Sequence, residues 1–198
     1  MGGGAGWRQL VVAQEQGGTI PSRRPTFGAV VWDWTKTLVL CALIALTLRT
    51  LVLESYTIDG ACMEPSLGTG QRVFIFKPSY WFSGPHRGDV IVFRYPVDPT
   101  RDYIKRVIAL PGETVALRAG IVYINDKELD QSHWPITVDT YRYSDYQERV
   151  VPDGQYFVLG DNRPDSEDSR VWGFVPRENV KGEAFIRYWP IWRPKWIG

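Results

Sequence analysis

From Thr37 to Leu53 the chain reads TLVLCALIALTLRTLVL, an apolar run broken by a single charge, Arg49. Trp32 and Trp34 stand just ahead of it, where amphipathic rings suit a membrane–water boundary. Counted from residue 31 to residue 53, the stretch supplies the roughly 20 residues that a helix needs to cross a hydrocarbon core, and Arg49 can snorkel toward the far surface. We read one transmembrane helix over 31–53. A buried helix of a soluble protein is the competing reading, because Lys36 and Arg49 bracket a short run. A cleaved signal sequence fits less well, since the run starts late and no small-residue cleavage motif follows it.

Charge orients the span. Arg23, Arg24 and Lys36 precede it, whereas Lys and Arg are absent from Glu54 through Gln71. Basic residues are retained on the cytoplasmic side, so the N-terminus is expected inside and residues 54–198 outside. Residues 1–30 open MGGGAG, carry QEQGGT and PSRRPT and show no sustained apolar period, as in a flexible cytoplasmic tail. With 198 residues and 44% apolar content, the remainder can make one medium-sized domain but not a two-domain enzyme. The 23 basic and 22 acidic residues leave a net charge of +1, so no global field calls for nucleic acid. Two cysteines, Cys41 and Cys62, rule out a disulfide framework or a cysteine-based zinc site, and no cofactor or metal is expected.

Beyond the span, short β-rich runs alternate with turns: RVFIFK (72–77), DVIVFR (89–94), YIKRVIAL (103–110), ETVALR (113–118), IVYI (121–124), YFVLG (156–160) and GEAFIRYW (182–189). None has a helical period, so the spacing predicts a mostly β, antiparallel domain over 54–198. Asn125-Asp126 reads as a hairpin turn, and the polar, tyrosine-rich stretch within 125–152 as an excursion from the main sheet.

Four motifs follow in order: GACMEPSL after the span, RGDVIVF, YIKRVIALPGE and GDNRPDSEDSRVWGFVP. Together they resemble the type I signal peptidases (leader peptidases), membrane-bound Ser/Lys proteases, over a stretch from about Lys36 to the C-terminus. In that family a nucleophilic serine stands directly before Met-x-Pro, and the matching position here is Cys62. Lys105, in YIKRV, matches the general base. By itself a lone strand lysine is a solvated surface residue, and a lysine with a reference pKa near 10.4 accepts a proton at neutral pH only where burial disfavours its charged form. Tyr103, Ile104, Val107 and Ile108 could supply that apolar setting.

The resemblance implies supporting roles as well. Ser166 matches a serine whose hydroxyl holds the base lysine, while Asp161 pairs with Arg106 and Asp168 with Arg170 to brace the site. The backbone N–H of Cys62 is the natural first oxyanion donor. Some family members add a serine hydroxyl two residues earlier, where this chain has Gly60, so the second donor is open in the Gly60 region. Glu167 reads as part of a solvated loop, and Met63 and Pro65 as structural. His86 and His133 lie in no triad-like segment; a Cys/His protease based on His133 is the weaker competitor. Trp189, Trp192 and Trp196, beside Arg193 and Lys195, suit either a core or a membrane-resting surface.

The implied function is an endopeptidase that removes N-terminal signal peptides from exported preproteins at a bacterial-type plasma (inner) membrane. Its partners would be the preproteins, the lipid bilayer and the secretion translocon, and the family's substrates carry small residues at the first and third positions before the cut. Two alternatives stay open because of Cys62: a catalytically silent, signal-peptide-binding paralogue, and a specialised processing peptidase for pilin-type or conjugation-type substrates.

Overall fold

The computed structural model describes residues 27–137 and 145–197; the expected tail, apart from its last few residues, and the middle of the expected excursion lie outside them. The chain divides into two compact units, residues 1–42 and 43–198. The described part of the first is helical. Helix α1 runs Phe27–Thr47 and passes through a π-type turn at Leu48–Val52 that carries Arg49. Val30–Thr47 is long and apolar enough to cross a membrane, with a mean hydropathy of 1.5 and none of that stretch buried. The helix therefore starts four residues before the expected bound and yields sooner, because Leu53 already belongs to a strand.

The second unit is built from antiparallel strands: β1 (Leu53–Thr57), β2 (Arg72–Phe76), β3 (Val90–Arg94), β4 (Asp102–Ala109), β5 (Thr114–Arg118), β6 (Ile121–Ile124), β7 (Lys127–Glu128), β8 (Tyr146–Val150), β9 (Gln155–Leu159), β10 (Val175–Pro176), β11 (Val180–Trp189) and β12 (Lys195–Trp196). One short helix, α2 (Ser169–Trp172), follows β9. The larger sheet runs β1-β2-β11-β3-β4-β9-β10, with β12 added on β11; the smaller one runs β7-β6-β5-β8. All seven β-rich runs of the sequence are strands. Those it did not show are short or polar. β1 continues directly from the apolar run, and β8 (YQERV) has four exposed residues of five, so it lacks the alternation of a half-buried strand.

Three clusters fill the interior. Met63, Leu67, Val73, Ile75, Val90 and Val92 form one beside the nucleophile motif. Ile91, Phe93, Val107, Tyr156 and Val158 form a second. The third joins the two sheets: Phe157 and Leu159 of β9 pack with Val115, Leu117, Val122 and Ile124 of β5 and β6. The hairpin into β7 turns at Asn125-Asp126, both with positive φ (50° and 61°), and the Asn125 side chain accepts a 2.8 Å hydrogen bond from the Thr114 amide.

Because Phe157 is fully buried where the sheets meet, Phe157→Ala should cost about 3–5 kcal/mol. A chemical-denaturation midpoint measured in detergent checks this, and a shift worth less than about 1 kcal/mol would show that the sheets do not share this core.

Candidate active site

Strand alternation sends neighbouring residues of β4 to opposite sides, and this separates two buried cations. Lys105, 3% exposed, extends its Nζ to 2.9 Å from Cys62 Sγ. Tyr103, two residues away on the same strand face, sets its ring 5.4 Å from the same nitrogen. Arg106 turns the other way and grips Asp161, with Nε to Oδ1 at 2.8 Å and Nη2 to Oδ2 at 2.7 Å. Both partners are buried, and Arg106 Nη1 also donates to the Gly88 carbonyl.

The turn that carries Cys62 is held from two sides. Met63 and Leu67 anchor it in the core, as expected of a packing methionine. The 160–170 loop holds its backbone: Asn162 N–H donates to Cys62 O and Asn162 Nδ2 to Ala61 O, each at 3.0 Å. Ser66 Oγ donates to Asp161, tying the end of the turn to the Arg106 pair. Among the described residues the Cys62 N–H donates to no backbone or side-chain acceptor, so it is free to meet an incoming carbonyl oxygen. Gly60 lines the same cleft with φ at +99° and open space where a Cβ would stand. A left-handed backbone there favours glycine over a serine donor.

The loop itself is braced by the second pair. Arg170 donates through Nε and Nη2 to Asp168, at 2.8 and 2.9 Å, and through Nη2 to the carbonyls of Arg163 and Ser166. Asp168 also accepts from the Gly160 amide, and Ser169 Oγ accepts from Val158 N–H, which fixes the start of α2 to the end of β9. Arg163, deeply buried, donates to the Gly160 carbonyl; burial lowers its pKa to about 10, with the nearby Asp168 charge acting against that shift.

Ser166 departs from its expected contact. Its hydroxyl is buried beside Gly160 but has no hydrogen-bond partner among the described residues, and Lys105 Nζ is engaged with Cys62 Sγ instead. Glu167 is exposed, as expected, though its carboxylate accepts a 3.3 Å bond from Tyr95 at the rim. The sequence reading assigned no role to Asn162 or Ser66. Both lie inside the quoted motifs, but their contacts run between segments about 100 residues apart and leave no local signal.

Cys62, Lys105, Gly60 and Tyr103 line one cleft of about 530 Å³, together with Tyr56, whose hydroxyl pKa is pushed up by burial and then by Glu54. No histidine lines it: His86 sits beside Asp89, and His133 packs on Trp134 with ring centroids 5.1 Å apart. Among the described residues no group of three or more His, Cys, Asp or Glu side chains could hold a metal. A buried amine on a nucleophilic sulfur, beside a free amide in an open cleft, is an arrangement suited to acyl transfer.

The family described as signal peptidase, peptidase S26, matches residues 31–189. A Synechocystis protein named "Probable signal peptidase I-2" is 43% identical over 162 residues, covering 79% of this chain and 72% of that one. Signal peptidase I of Leptolyngbya laminosa is 38% identical over 176 residues, covering 85% and 84%. The crystal structure of a signal peptidase I from Enterococcus faecalis is 37% identical, covers 50% of this chain and 95% of its own, and gives a TM-score of 0.39. The chain belongs to the peptidase S26 family of signal peptidases. It is an endopeptidase by family, and its N-terminal helix fits membrane anchoring.

Two substitutions test the bracing. Asp161→Asn strips a buried guanidinium of its charge partner and should destabilise the fold by about 3–5 kcal/mol in a denaturation measurement. Gly160→Ala would bring a Cβ to 2.5 Å from the Cys62 carbonyl oxygen and onto the Ser166 hydroxyl. The turn that carries Cys62 must then shift, and displacements of about 1 Å can cost about 10²-fold in rate. Peptide cleavage by the Gly160→Ala protein at or near the parental rate would remove this close approach from the site's requirements.

Proposed function

We propose that this protein removes N-terminal signal peptides from exported preproteins, with Cys62 as nucleophile and Lys105 as general base. The observation that carries the reading is the 2.9 Å contact between Nζ and Sγ in an open cleft, in a chain of this family. Cys62 Sγ attacks the scissile carbonyl and its proton passes to Lys105 Nζ. The tetrahedral oxyanion accepts from the Cys62 N–H. As the carbon–nitrogen bond breaks, Nζ returns the proton to the departing amine. Water then cleaves the thioester, giving its proton to Nζ, and the thiol is regenerated. Arg106–Asp161 and Asp168–Arg170 are positioning pairs, and Ser166 lies beside Gly160 in the loop that both pairs hold.

The span supports a topology with a cytoplasmic N-terminus and the β-rich unit outside, in a bacterial-type plasma membrane and near the secretion translocon. Anchoring confines enzyme and substrate to one bilayer, since the signal peptide's own apolar segment is held there, and so raises their effective concentration. Exposed Trp189, Trp192 and Trp196 extend the contact with lipid.

Purified protein incubated with a preprotein tests the assignment. Lys105→Ala should lower cleavage about 10²–10⁴-fold while its dichroism spectrum stays unchanged. Cys62→Ser should cut faster than the parent, because a neutral amine suits a hydroxyl and no thiolate–ammonium pair can form. Serine and alanine variants of equal, negligible activity would defeat the nucleophile assignment in favour of a binding paralogue. Protease added outside right-side-out vesicles should degrade residues 54–198; a protected β-rich unit would reverse the topology.

A further inference from the structure

A second cleft, of about 330 Å³, shares no lining residue with the first. Arg187 and Lys195 of β11 and β12 line one part of it, and Ser66, His133 and Trp134 another. Among the described residues no carboxylate lines it. Arg187 and Lys195 are direct partners across the antiparallel β11–β12 pair, so their side chains leave the same face, with Cβ atoms about 4.5–5.5 Å apart. Like charges so placed repel, and a fold gains nothing from the pairing unless something negative lies between them. Among the described residues neither cation forms an ion pair.

The Arg187 guanidinium is only partly used. Its Nη1 donates to Gln71 Oε1 at 3.2 Å and its Nη2 to the Arg193 carbonyl at 3.0 Å, both neutral acceptors, while its Nε is buried with no partner. Arg106, the other arginine in the wall, is satisfied by Asp161. What remains is a guanidinium with N–H donors to spare beside a point charge, a pair of groups that suits a phosphate oxyanion.

The rim decides where that phosphate comes from. Trp196 lines the cleft and is 69% exposed, and the turn into β12 presents Ile191 and Trp192 at 66% and 71%. A free phosphate ion has no use for such a border, whereas a phospholipid places apolar and interfacial groups there. We propose that this cleft binds the phosphate of an anionic phospholipid headgroup between Arg187 and Lys195, with Trp192 and Trp196 at the lipid boundary. The site is independent of whether Cys62 cuts.

The full chain in neutral maltoside micelles can be titrated calorimetrically with dioctanoyl phosphatidylglycerol, with dioctanoyl phosphatidylcholine and with inorganic phosphate. Phosphatidylglycerol should saturate and bind at least tenfold more tightly than the other two. Lys195→Glu would offer Arg187 a carboxylate in place of the phosphate and should weaken phosphatidylglycerol at least tenfold. Lys127→Glu, an exposed change in the smaller sheet, should stay within twofold of the parent. Inorganic phosphate binding as tightly as the lipid would overturn the headgroup assignment. Unchanged binding by Lys195→Glu, or an equal loss with Lys127→Glu, would overturn the site.

Discussion

The ion pair between Arg106 and Asp161 joins everything that the chemistry needs. A buried charge left without its partner is costly, so wherever Arg106 goes Asp161 must follow. Arg106 is fixed by its place in β4, next to Lys105, and Asp161 opens the loop whose following residue holds the Cys62 backbone. Ser66 closes the triangle by bonding the same carboxylate. Lys105, Cys62 and the 160–170 loop come from three distant segments, and one bidentate contact ties them together.

Much of this was legible in the sequence for a specific reason. A helix of about 20 apolar residues and strands of four to eight announce themselves by period and composition, which is why α1 and seven strands could be placed. β8 escaped because an edge strand with four exposed residues carries no buried face to betray it. For the site, Cys62 and Lys105 were found through resemblance, since a lysine in a strand has no local mark of burial. The contacts of Asn162 and Ser66 are products of tertiary approach and were invisible. Ser166 shows the opposite limit: its position matched a motif, but which partner a hydroxyl takes depends on distances that no motif encodes.

The two clefts divide the labour of β4 and its surroundings. One is lined by Cys62 and Lys105; the other borders Arg106, Ser66 and the cations of β11 and β12. Ser66 and Arg106 belong to the wall of the second cleft and also to the network that holds the turn carrying Cys62.

Strand β11, near the end of the chain, lies between β2 and β3 in the larger sheet. Two of the earliest strands are therefore separated by one of the last to be synthesised, and neither can find its final neighbour until residues 180–189 arrive. A chain still emerging has the Cys62 motif but not the completed sheet that flanks β3 and β4. In the proposed topology those closing residues must also cross the bilayer before the larger sheet can be completed.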